Sequence, residues 1–305
     1  MSKQSPPGKI KWYRRFQQFL LRTSAGIAAH LWAQLPLSWV QRIGRTLGWV
    51  AYFVARERRR AAEANLKACF GDRFTAAERR RILLMSCQNM ITSPLELFKL
   101  AQMEPDAVRA LVDVEGEEHI RAAVAQGRGV IVVTGHYGNW ELLGGYLGLM
   151  GYDLAVLARD SSDPQTAGLV NAARRRLGIA AVLSRDAVRE MTEWLAQGKV
   201  LGVLPDQRQA VGGRWLDFLG RPATTALGPA VLSLRTGAVL VLGFARRTSG
   251  GRFHVVFYPP IQRPEGLRRA EMIEAYAQKV NDALGYEISL HPEQWLWMHD
   301  RWRNP

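Results

Sequence analysis

The chain has 305 residues and a net charge of +14 at neutral pH. This length is enough for one sizeable α/β domain with a helical N-terminal part, and two cysteines are too few for the disulfide scaffold of a small secreted domain. A chain this basic favours a nucleic acid, an anionic membrane or an acidic protein as its partner.

The first sixty residues hold most of the excess positive charge. They contain twelve Lys and Arg against one acid, Glu57, and therefore carry +11 of the +14. Trp12, Phe16 and Phe19 recur at helical spacing among arginines and glutamines. This pattern predicts a basic amphipathic helix that lies in the interface of an anionic bilayer. The alternative is an ordinary surface helix that packs on the core.

The stretch 23–40 contains no Lys, Arg, Asp or Glu, but His30, Gln34 and Pro36 interrupt it. A helix that spans a bilayer needs about 20 mostly apolar residues, so this stretch is marginal. The composition supports attachment to a membrane and leaves spanning open. We therefore predict a membrane-associating helical region over residues 1–60 and a catalytic domain over residues 61–305.

Alternating helices and strands are predicted along most of the chain. Predicted helices cover 10–34, 38–68, 75–100, 116–125, 139–150, 164–177, 186–197 and 224–236. Predicted strands cover 129–134, 154–158, 200–204, 238–245 and 253–258. Thr75 and Glu78 form a capping-box pattern at the start of the third helix. The order of elements predicts an α/β fold in which a mixed central sheet is flanked by helices.

Three polar residues follow predicted strands directly: His136, Arg159 and Asp206. In open α/β sheets, ligands and catalytic groups gather beyond the carboxyl ends of the strands. We therefore expect these side chains, together with Gln207, to lie in one shared site.

The strongest candidate for chemistry is the turn between the strand 129–134 and the next helix. Asn139 is placed to cap that helix, so His136 precedes it and Glu141 lies in its first turn. With the imidazole folded back over the helix start, His136 can act as a general base on a hydroxyl. Glu141 would then hold the other ring N–H and stabilise the imidazolium. This chemistry needs no metal and no cofactor, and the chain has no Gly-x-Ser-x-Gly elbow.

Five separated blocks of sequence resemble one known family, in the same order along the chain. They are 58–60 with 65–70, 135–141, 204–207, 218–225 and 292–302. From about residue 20 to its end, the chain resembles the lipid A biosynthesis acyltransferases, which are the lauroyl and myristoyl transferases of Gram-negative bacteria. That family lies within the wider superfamily of glycerolipid-type acyltransferases with a His-x4-Asp/Glu motif.

The resemblance implies transfer of a fatty acyl chain from an acyl carrier protein thioester to a hydroxyl of a lipid A precursor. This step is a late secondary acylation in lipopolysaccharide biosynthesis. It implies an enzyme of the inner membrane whose catalytic domain faces the cytoplasm. The implied partners are the acyl carrier protein donor, the lipid A precursor and the anionic inner membrane. Since no clean secretory cleavage site follows the first apolar run, the folded part is expected to stay inside the cell.

The resemblance also implies a set of substrate contacts. Arg159 would bind a phosphate or polar headgroup, a task that suits its planar guanidinium, although a structural pairing with Asp160 or Asp163 is the alternative. Asp163 stands where the family has an asparagine. The other expected substrate-binding residues are Asn139, Asp206 and Gln207.

Three other functions are considered. The nearest is an acyltransferase of the same superfamily that acts on a phosphatidylinositol mannoside, another glycolipid or a lysophospholipid. A metallohydrolase would use His136 and Glu141 with His291 or His299 as metal ligands. Nucleic-acid binding is disfavoured, because the charge lies beside apolar, membrane-seeking residues and no nucleic-acid-binding module is recognisable.

Two clusters allow two interpretations each. Arg174, Arg175 and Arg176 form either a solvated helix face or a docking site for an acidic carrier protein. The tryptophans of the C-terminal block, Trp295, Trp297 and Trp302, either line an acyl groove or seal the core, and burial is the more common outcome.

Overall fold

The computed structural model describes residues 32, 34–158, 164–184 and 188–302. The helices are α1 (Leu37–Val54), α2 (Arg56–Phe70), α3 (Ala76–Leu100), α4 (Pro105–Arg109), α5 (Glu117–Ala125), α6 (Trp140–Leu149), α7 (Pro164–Arg176), α8 (Val188–Ala196), α9 (Gly228–Thr236) and α10 (Arg269–Leu290). The strands are β1 (Val112–Glu115), β2 (Val130–Val133), β3 (Leu154–Ala158), β4 (Ile179–Ser184), β5 (Val200–Val203), β6 (Arg214–Phe218), β7 (Arg221–Thr225), β8 (Val239–Arg247) and β9 (Phe253–Phe257). The predicted amphipathic helix around Trp12 lies outside the described residues.

Seven strands form one sheet in the order β1-β9-β8-β2-β5-β3-β4. All neighbouring strands of this sheet run parallel except β8 and β9, which are antiparallel. Strands β6 and β7 form a separate antiparallel hairpin. The sheet is therefore mixed and central, as the sequence predicts.

Strand β2 lies inside the sheet, with β8 on one side and β5 on the other. Its residues alternate between two cores: Val130 and Val132 pack on one face, and Ile131 and Val133 on the other. All four are buried, as expected for a parallel strand that is covered on both faces. The continuous Val and Ile run thus reflects helices on both sides of the sheet.

The predicted helices are mostly confirmed, with some differences in their ends. Thr75 caps α3 in a capping box, in which its N–H donates to Glu78 at 2.7 Å. The predicted helix 38–68 is two helices, because the backbone of Ala55 leaves helical geometry at φ −81° and ψ 52°. Strands β1 and β4, the β6–β7 hairpin and the long helix α10 were not predicted.

Helix α1 packs on α3 through a buried polar contact. Gln41 donates from its amide to Glu96 at 3.0 Å and to the carbonyl of Gly251 at 3.0 Å. The described part of the 1–60 region is therefore in contact with the rest of the chain, and the domain boundary at residue 60 stays a prediction. Within the described ranges, no helix combines the length and the apolar character that crossing a bilayer requires.

Candidate active site

The loop between β2 and α6 is held against β8. The N–H of Asn139 donates to the carbonyl of Ala245 at 2.8 Å. Gly138 has a φ of +55°, and a Cβ at this position would come within 2.0 Å of that same carbonyl oxygen. Only glycine fits this left-handed conformation and close approach.

The C-terminal block holds the same loop from another side. Gly138 donates from its N–H to the carbonyl of Gln294 at 2.9 Å, and Leu296 donates to the carbonyl of His136 at 3.0 Å. Tyr137 and Trp295 also form an antiparallel bridge. The backbone on both sides of His136 is thus fixed.

The imidazole of His136 is paired with Asp206. Strand β5 runs parallel to β2, so Asp206 emerges at the same edge of the sheet. Its Oδ1 lies 2.9 Å from Nδ1 of His136, and its Oδ2 accepts the backbone N–H of His136 at 2.8 Å. The indole N–H of Trp295 donates to the same Oδ2 at 2.9 Å. The expectation that these two strand ends meet is confirmed.

Asp206 is ionised at neutral pH. Burial by itself raises the pKa of this carboxyl, but the charge of protonated His136 and three N–H donors outweigh it and lower the pKa to about 2. A carboxylate can only accept hydrogen bonds, so Nδ1 of His136 carries the proton and Nε2 of the neutral ring keeps a lone pair. The side chain of His136 is 21% exposed, which leaves the ring accessible.

Gln207 lies on the other side of the ring. Its Nε2 is 3.3 Å from Nε2 of His136, a long contact in which the amide N–H points at the lone pair. A hydroxyl that reacts with His136 has to approach this same nitrogen. Gln207 is therefore suitably placed to contact substrate, and that contact stays a prediction. Asp206 is 1% exposed and orients the histidine from the interior.

Glu141, predicted to hold the imidazole, pairs with Arg174 in the structure, and its catalytic role stays a prediction. Its carboxylate accepts two hydrogen bonds from Arg174 of α7, from Nε at 3.0 Å and from Nη2 at 2.6 Å. Within the described residues, Asp206 takes the position on Nδ1 that Glu141 was expected to take. The physical reason is that Glu141 already belongs to α6, and its side chain lies on the side of that helix that faces α7.

The three arginines of α7 differ in their surroundings. Arg174 is largely buried and neutralises Glu141, so it is not available to dock a partner. Arg175 and Arg176 are exposed and keep both interpretations open.

Asn139 caps α6, as predicted. Its Oδ1 accepts the N–H of Leu142 at 2.9 Å, and its Nδ2 donates to Glu96 at 2.8 Å. The side chain is fully buried. Its predicted role in substrate binding stays untested, and its burial with both ends of the amide occupied argues against that role.

A buried ion pair behind the loop was missed by sequence reasoning. Glu96 of α3 is fully buried and pairs with Arg247 of β8. Arg247 also donates to the carbonyl of Gly138 at 2.8 Å, as does Ser93 at 2.8 Å. The only signal for it in the sequence was a glutamate among leucines in the helix 75–100, which gives no indication of its partner.

The three tryptophans of the C-terminal block are buried at 1%, 1% and 9% exposure for Trp295, Trp297 and Trp302. The interpretation that they seal the core is confirmed. Arg159 and Asp163 lie outside the described residues, so their predicted contacts are not described. In the part of the chain that is described, no three His, Cys, Asp or Glu side chains come together as a metal site, including the set considered for a metallohydrolase.

Comparisons with known proteins agree with the sequence resemblance. Residues 10–304 match the family model of bacterial lipid A biosynthesis acyltransferases. The chain is 29% identical over 281 residues to a lipid A biosynthesis lauroyltransferase of Escherichia coli, covering 90% of this chain and 89% of the relative. It is 28% identical over 278 residues to a lipid A biosynthesis palmitoleoyltransferase of the same organism, with 90% and 88% covered. A phosphatidylinositol mannoside acyltransferase of Mycobacterium tuberculosis is 26% identical over 216 residues, with 68% and 66% covered.

Proposed function

The chain belongs to the family of bacterial lipid A biosynthesis acyltransferases, and from that premise we propose that it transfers a fatty acyl chain from an acyl carrier protein thioester to a hydroxyl of a lipid A precursor. Acyl transfer in lipid A biosynthesis follows from the family. The carrier-protein donor and the roles of individual residues are the proposal. The observation that carries it is the geometry of His136, whose Nδ1 lies 2.9 Å from Oδ1 of the buried Asp206 and whose side chain is 21% exposed.

His136 is the general base in this proposal. Nε2 takes the proton of the acceptor hydroxyl while the hydroxyl oxygen attacks the thioester carbonyl carbon, and a tetrahedral oxyanion forms. Collapse of this intermediate breaks the carbon–sulfur bond, and the departing thiolate receives the proton from the imidazolium. Asp206 stabilises the positive ring between these two transfers, as the acid of a Ser-His-Asp triad does. No covalent acyl-enzyme is needed.

The start of α6 supplies candidate donors for the oxyanion. The N–H groups in the first turn of a helix have no intrahelical partner. Asn139 caps that of Leu142, while those of Trp140 and Glu141 remain at the helix start. The ring centroid of Trp140 lies 5.3 Å from that of His136, so the first residue of α6 packs beside the imidazole. Donors that are fixed in advance favour a developing oxyanion.

The acceptor is proposed to be a lipid A precursor rather than another glycolipid. The lipid A relatives match about nine tenths of this chain, whereas the phosphatidylinositol mannoside acyltransferase matches about two thirds at lower identity. The latter keeps a glycolipid acceptor of another class as the second candidate.

The site of action is proposed to be the cytoplasmic face of the inner membrane. The face of α1 that points away from α3 carries large exposed apolar side chains, which are Trp39, Leu47, Trp49, Val50, Phe53 and Val54. Exposed arginines lie on this face and beside it, among them Arg42, Arg45 and Arg56. Apolar groups flanked by cations favour the interface of an anionic bilayer.

The activity is tested with purified full-length protein and labelled acyl-acyl carrier protein. The acceptors are a lipid A precursor, a phosphatidylinositol mannoside and a lysophospholipid, and mass spectrometry identifies the product. We expect acyl transfer to the lipid A precursor. Transfer to the mannoside alone would move the assignment to the second candidate, and transfer to none of the three would reject the proposal.

The membrane site is tested by flotation with vesicles that contain phosphatidylglycerol or only phosphatidylcholine. We expect binding to the anionic vesicles, and weaker binding for the double variant Trp49→Ser/Phe53→Ser. Leu169→Ser removes an exposed apolar side chain from α7, at 63% exposure, and serves as the control. Equal binding of all three proteins would remove α1 from the proposal.

A further inference from the structure

Trp295 contacts the same carboxylate that orients His136. Its indole N–H donates to Oδ2 of Asp206 at 2.9 Å, and that oxygen also accepts the backbone N–H of His136 at 2.8 Å. Oδ1 is thereby left to the ring nitrogen Nδ1. Three N–H donors from two distant parts of the chain thus fix both oxygens of one buried side chain.

The indole itself is held rigidly. Trp295 is 1% exposed and packs against Trp297, Phe218 and Trp302, with ring centroids 4.8, 5.6 and 5.9 Å away. Its carbonyl also accepts a hydrogen bond from the buried hydroxyl of Ser86. A rigid group that makes a hydrogen bond loses little entropy in doing so, so it can direct its partner.

The chemistry of indole makes this bond one-directional. The indole nitrogen is a donor only, so it cannot accept a proton from Asp206. A hydrogen bond to a carboxylate withdraws part of its negative charge, and the carboxylate then stabilises a nearby cation less strongly. The N–H of Trp295 therefore both orients Asp206 and limits how strongly Asp206 favours the protonated form of His136.

We propose that Trp295 is a positioning residue, which sets the orientation of Asp206 and through it the basicity of His136. Its effect on the imidazole is a property of the folded protein. Its effect on catalysis rests on the proposed acyltransferase function, and the two effects are measured separately.

The test compares Trp295→Phe with Trp297→Phe. Trp297 is also 1% exposed and belongs to the same aromatic cluster, but its indole N–H donates to the carbonyl of Pro292 at 2.8 Å. Both variants therefore lose the same volume and one buried indole hydrogen bond. Only the first loses a bond to Asp206.

The first measurement is NMR of protein with ¹⁵N-labelled histidines, in which the signals of His136 are identified from their loss in His136→Gln. We expect the pH at which this ring is half protonated to rise by about half a unit in Trp295→Phe, a part of what a hydrogen bond to a charged acceptor contributes. Trp297→Phe should leave it unchanged. Equal midpoints in the two variants would overturn the proposal, whatever reaction the protein catalyses.

The second measurement is the pH dependence of acyl transfer. Trp295→Phe should lower kcat about tenfold with little change in KM and shift the acid limb of the profile upward with the imidazole. Trp297→Phe should keep kcat within about twofold. An NMR shift without acyl transfer by the wild type would reject the proposed function alone. Should Trp295→Phe fail to fold, 3-benzothienylalanine at position 295 keeps the bicyclic shape without the N–H.

Discussion

The site contains two buried carboxylates, Asp206 and Glu141, whose partners differ in kind. Asp206 is bound by three N–H groups, one of which belongs to an imidazole. Glu141 is bound by the two-pronged guanidinium of Arg174. Arginine stays protonated under all ordinary conditions, whereas histidine changes its charge near neutral pH. Asp206 can therefore support proton transfer by its histidine partner. Glu141, whose partner is permanently charged, links helix α6 to helix α7.

The position of each carboxylate fits that difference. Asp206 follows β5, at the edge of the sheet where β2 also ends, and it therefore meets the loop that carries His136. Glu141 lies in the first turn of α6, where it connects this helix to α7. The ends of the neighbouring strands β2 and β5 thus position His136 and Asp206, and the contact between α6 and α7 holds the helix that follows His136.

The largest expected effect is the loss of the base itself. His136→Gln should lower kcat for acyl transfer by up to about 10⁴-fold, because a positioned general base contributes about 10²- to 10⁴-fold. Circular dichroism should show that the variant stays folded. Full activity in a folded His136→Gln protein would remove the histidine from the mechanism and with it the distinction between the two carboxylates.

The next effect separates the two carboxylates directly. Asp206→Asn should lower kcat about 10³-fold, since the amide replaces one acceptor oxygen with a donor and no longer favours the ring with its proton on Nδ1. Glu141→Gln is the matched variant and should lower kcat no more than about tenfold, because its carboxylate does not touch the imidazole.

Initial rates at saturating donor and acceptor measure both variants. A folded Glu141→Gln that is as inactive as Asp206→Asn would return Glu141 to the catalytic role that the sequence first suggested.

A further effect concerns stability rather than rate. Glu141→Ala leaves the guanidinium of Arg174, which is 16% exposed, without its partner. Removing one member of a buried ion pair costs about 3 kcal/mol, more than the pair itself contributes. Urea unfolding should show this loss, and the double variant Glu141→Leu/Arg174→Met should recover most of it. A double variant as unstable as Glu141→Ala would mean that the pair is not an isolated contact.

The sequence predicted the general fold well, and it predicted the partner of His136 poorly. The Val-Ile run of β2 and the cap at Asn139 follow from local patterns, and both are confirmed. The placement of His136 and Asp206 at neighbouring strand ends also followed, because parallel strands end at one edge of the sheet. The choice of Glu141 as partner relied on closeness in sequence, and closeness within a helix does not fix where a side chain points.

Contacts between distant segments were beyond local reasoning. Arg174 and Glu141 are 33 residues apart, and Trp295 and Asp206 are 89 apart. Nothing in the periodicity of either segment selects these pairs over other combinations of the same residue types. The missed hairpin β6–β7 has a similar cause: its two strands are short, and their sequences do not alternate between apolar and polar residues.

The smallest expected effect is the pH dependence of stability that Asp206 contributes. Its pKa in the folded chain is about 2, below the ordinary value of 3.8. A lowered pKa gives a stability contribution that is present above 3.8 and is lost as the pH falls toward 2, amounting to about 2 kcal/mol. Urea unfolding between pH 5 and 2 should show the wild type losing about that much more than Asp206→Asn. Parallel curves for the two proteins would mean that the carboxylate gains no net stabilisation from its three donors, and its tie to His136 would then serve orientation alone.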